Sequence, residues 1–224
     1  MRKIKIGILG CADVAKRLII PNLLKTNKFE LVAISSRSME KATEYSNLFG
    51  CVPIKGYENL IKIQEIEAVY IPLPTGMHYK WIMKCLDNGK HVFCEKSIAT
   101  NFEEVSNIIK TANEKNLCIF ENFMFPFHSQ IEFVKEKIMS NEIGDIRLLK
   151  SSFGFPTINR DTNIRYKKEL GGGALLDAGA YTLMASQVFL GINQRVISSC
   201  LNKLDNSVDF LGSITLLNED SIVS

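Results

Sequence analysis

Up to residue 122, short β-branched apolar runs alternate with amphipathic segments, and this rhythm constrains the fold more than any other feature of the chain. KIKIGIL (3–9), ELVAISS (30–36), EAVYIPL (67–73), HVFCEK (91–96) and LCIFEN (117–122) read as strands. They are almost uninterrupted in hydrophobicity, as expected of parallel strands covered on both faces. Helical periodicity fills the gaps at 13–26, 39–49, 57–63, 75–88 and 101–115. Gly50 and Gly89 stand where a helix C′ residue belongs. Thr75 can cap the helix after Leu73-Pro74, and Thr100 with Glu103 has the spacing of a capping box. Repeated β-α-β order predicts an α/β fold with a doubly wound parallel sheet.

The rhythm changes after residue 123. A helix is expected at 128–140, closed near Gly144, then a strand at 145–153, an irregular stretch to 170 and a helix over 173–190. RVISSCLNKL (195–204) and SVDFLGSITLLN (207–218) read as consecutive antiparallel strands joined by a turn at 205–207. Strands that pair without crossover helices predict a second, α+β domain with an open, mainly antiparallel sheet. The expected division is 1–122 and 123–224. Another strand begins to form at 220–224, so the second domain is expected to be C-terminally truncated.

Composition excludes several classes. A net charge of +3 on 224 residues, with dispersed lysines, does not suit nucleic-acid binding. The six cysteines (Cys11, Cys51, Cys85, Cys94, Cys118, Cys200) form no CxxC pair and read as reduced core thiols of a cytosolic protein, with no metal site expected. The N-terminal MRKIKIGILGC imitates a lipoprotein leader, but Lys5 interrupts its apolar run. No stretch approaches the ~18 apolar residues of a membrane span. A soluble cytoplasmic protein is expected.

The turn after the first strand carries the first functional signal. Gly10-Cys11-Ala12-Asp13-Val14-Ala15 reads as a dinucleotide fingerprint with alanines at its second and third glycine positions. Its place between a strand and a helix lends it weight, because the amides of a helix N-terminus attract phosphate. At the end of the second strand, Ser36 and Arg37 occupy the region of the ribose-binding acid. Two hydroxyls (Ser35 and Ser36) and a guanidinium suit a 2′-phosphate, so NADP(H) is favoured, with NAD(H) left open. A solvated Arg37 is the alternative.

Two further groups suggest chemistry. Glu95 and Lys96 close the strand at 91–96, on the edge where open α/β sheets bind ligands. Lys96 there can hold a carbonyl or hydroxyl oxygen and share in its proton transfer. In GGGALLDAGAY (171–181), Asp177 and Tyr181 lie four positions apart beside three glycines. That spacing places both on one helical face, where a carboxylate and a phenol can move a proton on a hydroxylated substrate. A strand-end lysine in water, a satisfied aspartate and a packed tyrosine are the plainer readings.

GILGCADVA, YIPLPTGMH (70–78), CEKS (94–97) and ELGGGALLDAGAY (169–181) follow one another as in the glucose–fructose oxidoreductase/inositol dehydrogenase/MocA family of NAD(P)-dependent oxidoreductases, which the chain resembles from residue 3 to about 217. The GCAD turn is most similar to the branch of nucleotide-sugar 3-ketoreductases. The resemblance implies a Rossmann domain and a substrate and oligomerisation domain. It implies a cofactor set of Gly10, Ala12, Asp13, Ala15, Ser36, Arg37, Pro72, Pro74, Thr75, His78, Glu95 and Lys96. It implies catalytic roles for Lys96, Asp177 and Tyr181, a substrate set adding His128 and Arg165, and Ser97 where relatives carry proline. Trp81, Phe123, Phe125 and Phe127 are assigned to packing. The expected reaction is hydride transfer to a keto group of a sugar, on a nucleotide-linked deoxysugar. Oxidation of a free sugar, cyclic polyol or dihydrodiol and non-catalytic NADP binding are the alternatives. A homo-oligomer, dimer or tetramer, is implied for the family, with no nucleic-acid or membrane partner.

Overall fold

A computed structural model describes residues 2–156, 159, 161–204, 208–219, 223 and 224. The chain divides into two compact units, Met1–Asn122 and Phe123–Ser224.

The first unit is built on a six-stranded parallel sheet of β1 (Ile4–Leu9), β2 (Phe29–Ser36), β3 (Val52–Lys55), β4 (Ala68–Ile71), β5 (His91–Glu95) and β6 (Ile119–Asn122), in the order β3-β2-β1-β4-β5-β6. Period-two alternation sends neighbouring residues of each strand to opposite faces. Ile6, Ile8 and Tyr70 pack on one side with Ile20, Leu31, Ile34 and Tyr45. Val69, Ile71, Val92 and Cys94 pack on the other with Ile82, Cys85, Leu86 and Ile108. Ile20, Tyr45, Ile82, Cys85, Leu86 and Ile108 come from helices α1 (Ile20–Lys25, entered through a π-helical turn at Ala15–Ile19), α2 (Met39–Phe49), α4 (Thr75–Asp87) and α5 (Phe102–Glu114), with the short α3 (Tyr57–Ile61) before β4. Tyr70, Phe93 and Phe120 form an aromatic ladder across β4, β5 and β6, with ring centres 4.8 and 5.6 Å apart.

The sheet is the doubly wound one expected, with one strand the sequence reading lacks. β3 is four residues long, lies at the sheet edge and contains Pro53. A proline removes a ladder donor, so its run does not stand out as a strand, yet an edge accommodates it. Two caps also move. The α5 cap is Asn101, whose side chain accepts from the Glu104 amide, while Glu104 takes the Thr100 amide and hydroxyl at 3.0 and 2.9 Å. The expected Thr100–Glu103 box is thus displaced by one residue. Thr75 is the first residue of α4 rather than its cap, because Pro74 precedes it in an extended conformation. Gly50 closes α2 with φ +68°.

Among its described residues the second unit contains α6 (Ser129–Met139), short 3₁₀ turns at Phe125–Phe127, Ile164–Tyr166 and Lys168–Leu170, a π-helical turn at Leu175–Gly179 running into α7 (Ala180–Leu190), and an antiparallel pair, β7 (Gln194–Leu204) and β8 (Val208–Asn218). The turn expected at 205–207 and most of the strand start at 220–224 lie outside the described residues. The strand expected at 145–153 is not formed. Among the described residues that segment makes one bridge, Leu148 to Val223, which is too little pairing for a ladder.

The cysteines are all free, but Cys118 and Cys200 are exposed rather than packed in the core. Among the described residues no helix is long and apolar enough to cross a membrane.

Candidate functional site

In the first unit the strand order reverses between β1 and β4, which opens a crevice at their carboxyl ends. The turn after β1 enters it. Gly10 has φ +124°, and a Cβ there would meet the Leu73 side chain at 2.8 Å. The positive φ calls for glycine, and the nearness of Leu73 shows that the turns after β1 and β4 close on each other. Helical structure begins at Asp13, leaving the first amides of the turn for an anion. The Asp13 carboxylate itself pairs with Arg17 at 3.1 Å, both side chains largely in water. Its backbone, not its side chain, is what the turn can offer.

At the end of β2, Ser35 and Ser36 are buried and Arg37 is exposed. The Ser36 hydroxyl accepts from the Ser38 amide at 3.3 Å, and the Ser38 side chain caps α2. Tyr57, which the sequence reading passed over, stands beside both turns. Its hydroxyl lies 4.0 Å from where a Gly10 Cβ would be, and the Arg37 guanidinium is near enough to act on its charge. Burial raises the Tyr57 pKa, and the guanidinium partly offsets that shift. This combination of a bare backbone turn, a helix start and a guanidinium at the second strand fits a dinucleotide carrying a 2′-phosphate.

Lys96 follows β5 and is braced on three sides. Upstream, one oxygen of the Glu95 carboxylate accepts from the Tyr70 hydroxyl at 2.6 Å and from the Asn122 amide at 2.7 Å. Burial, with Glu95 alongside, pushes the Tyr70 pKa far above its usual value. Downstream, the Lys96–Ser97 peptide is cis, the Ser97 carbonyl lies 2.7 Å from Nδ1 of His78, and the Ile98 amide donates to Glu121 at 2.8 Å. Nε2 of His78 lies 2.6 Å from the Leu73 carbonyl. His78 is fully buried with both ring nitrogens against backbone carbonyls, so it joins the Leu73 turn to the Lys96 loop. Burial holds its pKa below the usual 6.5 despite the two carbonyls. Pro72 is buried, and Pro74 and Thr75 are half-buried beside the same turn.

Glu121 was legible only as a charge inside the apolar run LCIFEN. Burial raises its pKa above 4.5, against the opposing effects of the Ile98 amide and the Lys96 charge. The folded protein therefore takes up this proton at a higher pH than the unfolded chain. Its contribution to stability is greatest below pH 4.5 and declines as pH rises through the raised pKa. Glu121→Gln keeps the acceptor for Ile98 and removes the titration. Denaturant melts across pH should show the variant gaining on the parent above pH 4.5. A constant difference between the two would refute the assignment.

In the second unit, Arg165 donates from Nε to the Asp177 carboxylate at 2.5 Å and lies over the Phe155 ring at 5.0 Å. Both residues border a cleft of about 730 Å³, lined also by Ser151, Phe153, Tyr166 and Asp209. Tyr181 sits among Phe123, Phe125 and Phe153, with ring centres 5.7, 6.2 and 5.2 Å away. It borders a shallow hollow with Met124, Phe125 and His128. Asp177 and Tyr181 were expected to share one helical face. The π-helical turn that carries Asp177 breaks the 3.6-residue period, and the two side chains line different hollows; Phe153 lines the one that Asp177 borders and packs edge-on against Tyr181. His128, expected to contact substrate, caps α6, its Nδ1 accepting from the Gln130 amide at 3.1 Å. Phe127, assigned to packing, is 76% exposed.

A family model described as an oxidoreductase family with an NAD-binding Rossmann fold (GFO/IDH/MocA) matches residues 4–123, and a GFO/IDH/MocA C-terminal domain model matches 131–223. A dTDP-3,4-didehydro-2,6-dideoxy-alpha-D-glucose 3-reductase of Saccharopolyspora spinosa is 39% identical over all of this chain and 68% of its own length. The enzyme of that name from Streptomyces violaceoruber is 37% identical over 96% of this chain and 63% of its own. A crystal structure of a 3-ketoreductase from Actinomadura kijaniata, in complex with NADP and TDP-benzene, superposes with a TM-score of 0.94 at 35% identity, covering 99% of this chain and 68% of that one. The chain thus spans about two thirds of the length of the relatives it matches.

Proposed function

The chain belongs to the GFO/IDH/MocA oxidoreductase family, and on that premise we propose that it is an NADP(H)-dependent reductase of a keto group on a nucleotide-linked deoxysugar. The observation that carries this reading is the pairing of Gly10 and Arg37 at one crevice with a braced lysine after β5. The relatives named above carry that reduction in their names, which supports the substrate class.

The backbone around Gly10, Ala12 and Ala15 would hold the diphosphate, and Ser36 with Arg37 the adenosine 2′-phosphate. Bound NADPH supplies the hydride. As the keto oxygen gathers negative charge, the Lys96 ammonium stabilises it and Tyr181 donates its phenolic proton. A tyrosine begins near pKa ~10 and is a natural donor to an alkoxide. Asp177 holds Arg165 by its Nε, and the remaining guanidinium donors serve the substrate. Glu95 and His78 hold the loop that carries Lys96.

The test is NADPH oxidation in the presence of a panel of keto sugars, free and linked to dTDP. Consumption only with the dTDP-linked 3-keto sugars is the expected result. Consumption with free sugars alone, or none with any keto sugar, would reject the substrate class.

A further inference from the structure

The helix that carries Asp177 and Tyr181 begins against a strand far along the chain. Oδ2 of Asp209, on β8, accepts a hydrogen bond from the Leu175 amide at 2.6 Å, across 34 residues. No side chain of the helix's own flank caps this start. Oδ1 of the same carboxylate lies 2.3 Å from where a Cβ on Gly173 would stand, and Gly173 has φ +122°. The Gly173 amide donates to the Arg165 carbonyl at 2.9 Å, while the Arg165 side chain reaches forward to Asp177. Asp209, Gly173, Arg165 and Asp177 therefore form one knot around the first turn of the helix. An acceptor at a helix start satisfies an orphan amide and fixes where the first turn begins. Here the residues fixed by it are those assigned to the chemistry.

We propose that Asp209 is a positioning residue. By accepting from the Leu175 amide it sets the register of the π-helical turn and so the placement of Asp177 and Tyr181. The glycine at 173 is the complementary half of the device, because only bare backbone lets the carboxylate reach the helix. The role needs an acceptor and not a charge. Its bearing on turnover rests on the reductase reading above, and its bearing on the helix does not.

The test compares the full chain with Asp209→Ala and Asp209→Asn. Hydrogen exchange over 175–181 is the primary readout. In Asp209→Ala the exchange should quicken by about tenfold or more, the size expected for a lost cap of ~1.4 kcal/mol. Asp209→Asn, which keeps an acceptor, should stay within about threefold of the parent. Unchanged exchange in Asp209→Ala, or equally fast exchange in both variants, would overturn the proposal. If the alanine variant does not fold, Asp209→Leu fills the space without an acceptor and takes its place. In the second readout, kcat with a dTDP-linked 3-keto sugar should fall about tenfold or more in Asp209→Ala, with NADPH affinity unchanged and most of the rate restored in Asp209→Asn. A parent enzyme inactive on every keto sugar would reject the reductase reading, and the exchange data would still decide for or against Asp209.

Discussion

Replacing Lys96 with Ala, or Tyr181 with Phe, is expected to cut turnover of a dTDP-linked 3-keto sugar by about 10²–10⁴-fold, the range in which a proton-transfer group contributes. NADPH affinity should change by less than about threefold in Tyr181→Phe, since NADPH is assigned to groups of the first unit. The two substitutions remove different things. Tyr181→Phe deletes only the hydroxyl and keeps the ring that packs on Phe123, Phe125 and Phe153, so a loss of rate reports chemistry and not packing. Lys96→Ala removes the charge set against the developing alkoxide, while the Glu95, His78 and Glu121 braces on either side remain. If both groups serve one proton transfer, the double variant should be little worse than the slower single one. Steady-state kinetics with calorimetric NADPH titration measures all three quantities. Normal kcat in both single variants would remove the proposed roles.

The second large effect concerns the choice of cofactor. Arg37→Ala should weaken NADPH binding by about 10–100-fold, as expected for a lost hydrogen bond to a charged group of ~1.5–3 kcal/mol, and leave NADH binding unchanged. Ser36→Asp should go further, because a carboxylate beside a 2′-phosphate repels it while suiting ribose hydroxyls. Tyr57→Phe is the informative control. It removes the hydroxyl beside the guanidinium and so separates the presence of Arg37 from the effect of its neighbour. Equal losses for NADPH and NADH in Arg37→Ala would mean that Arg37 shapes the crevice and does not read the phosphate.

The parts of this fold that depend on periodicity could be read from the sequence. Five of the six parallel strands and their helices follow from apolar runs and 3.6-residue patterns, which are local signals. The sixth strand, β3, stays hidden because four residues with a proline carry no such pattern. At 145–153 the reverse happened, since an apolar run predicts a strand whether or not a partner lies beside it. The site shows the same division. Gly10, Arg37 and Lys96 stand at ends of elements, and the ends are visible from turn chemistry. The bracing role of His78 was not legible, because its two carbonyl partners, Leu73 and Ser97, come together only when two loops close. Asp209 and Tyr57 were missed for a related reason: each acts on a residue distant in sequence, and nothing in their own neighbourhoods marks them. An aspartate inside an otherwise apolar strand, as at 209, is the one signal that could have raised the question.

The central claim is that reduction of a sugar ketone takes place on this chain, with its own residues supplying the proton. It is tested most directly by turnover with NADPH deuterated at the nicotinamide C4 and a dTDP-linked 3-keto sugar. Deuterium recovered on the carbon that bore the ketone, with that label nearly absent from the Tyr181→Phe reaction over the same time, is the predicted result. A product without deuterium at that carbon, or equal labelling by the parent and Tyr181→Phe, would contradict the account.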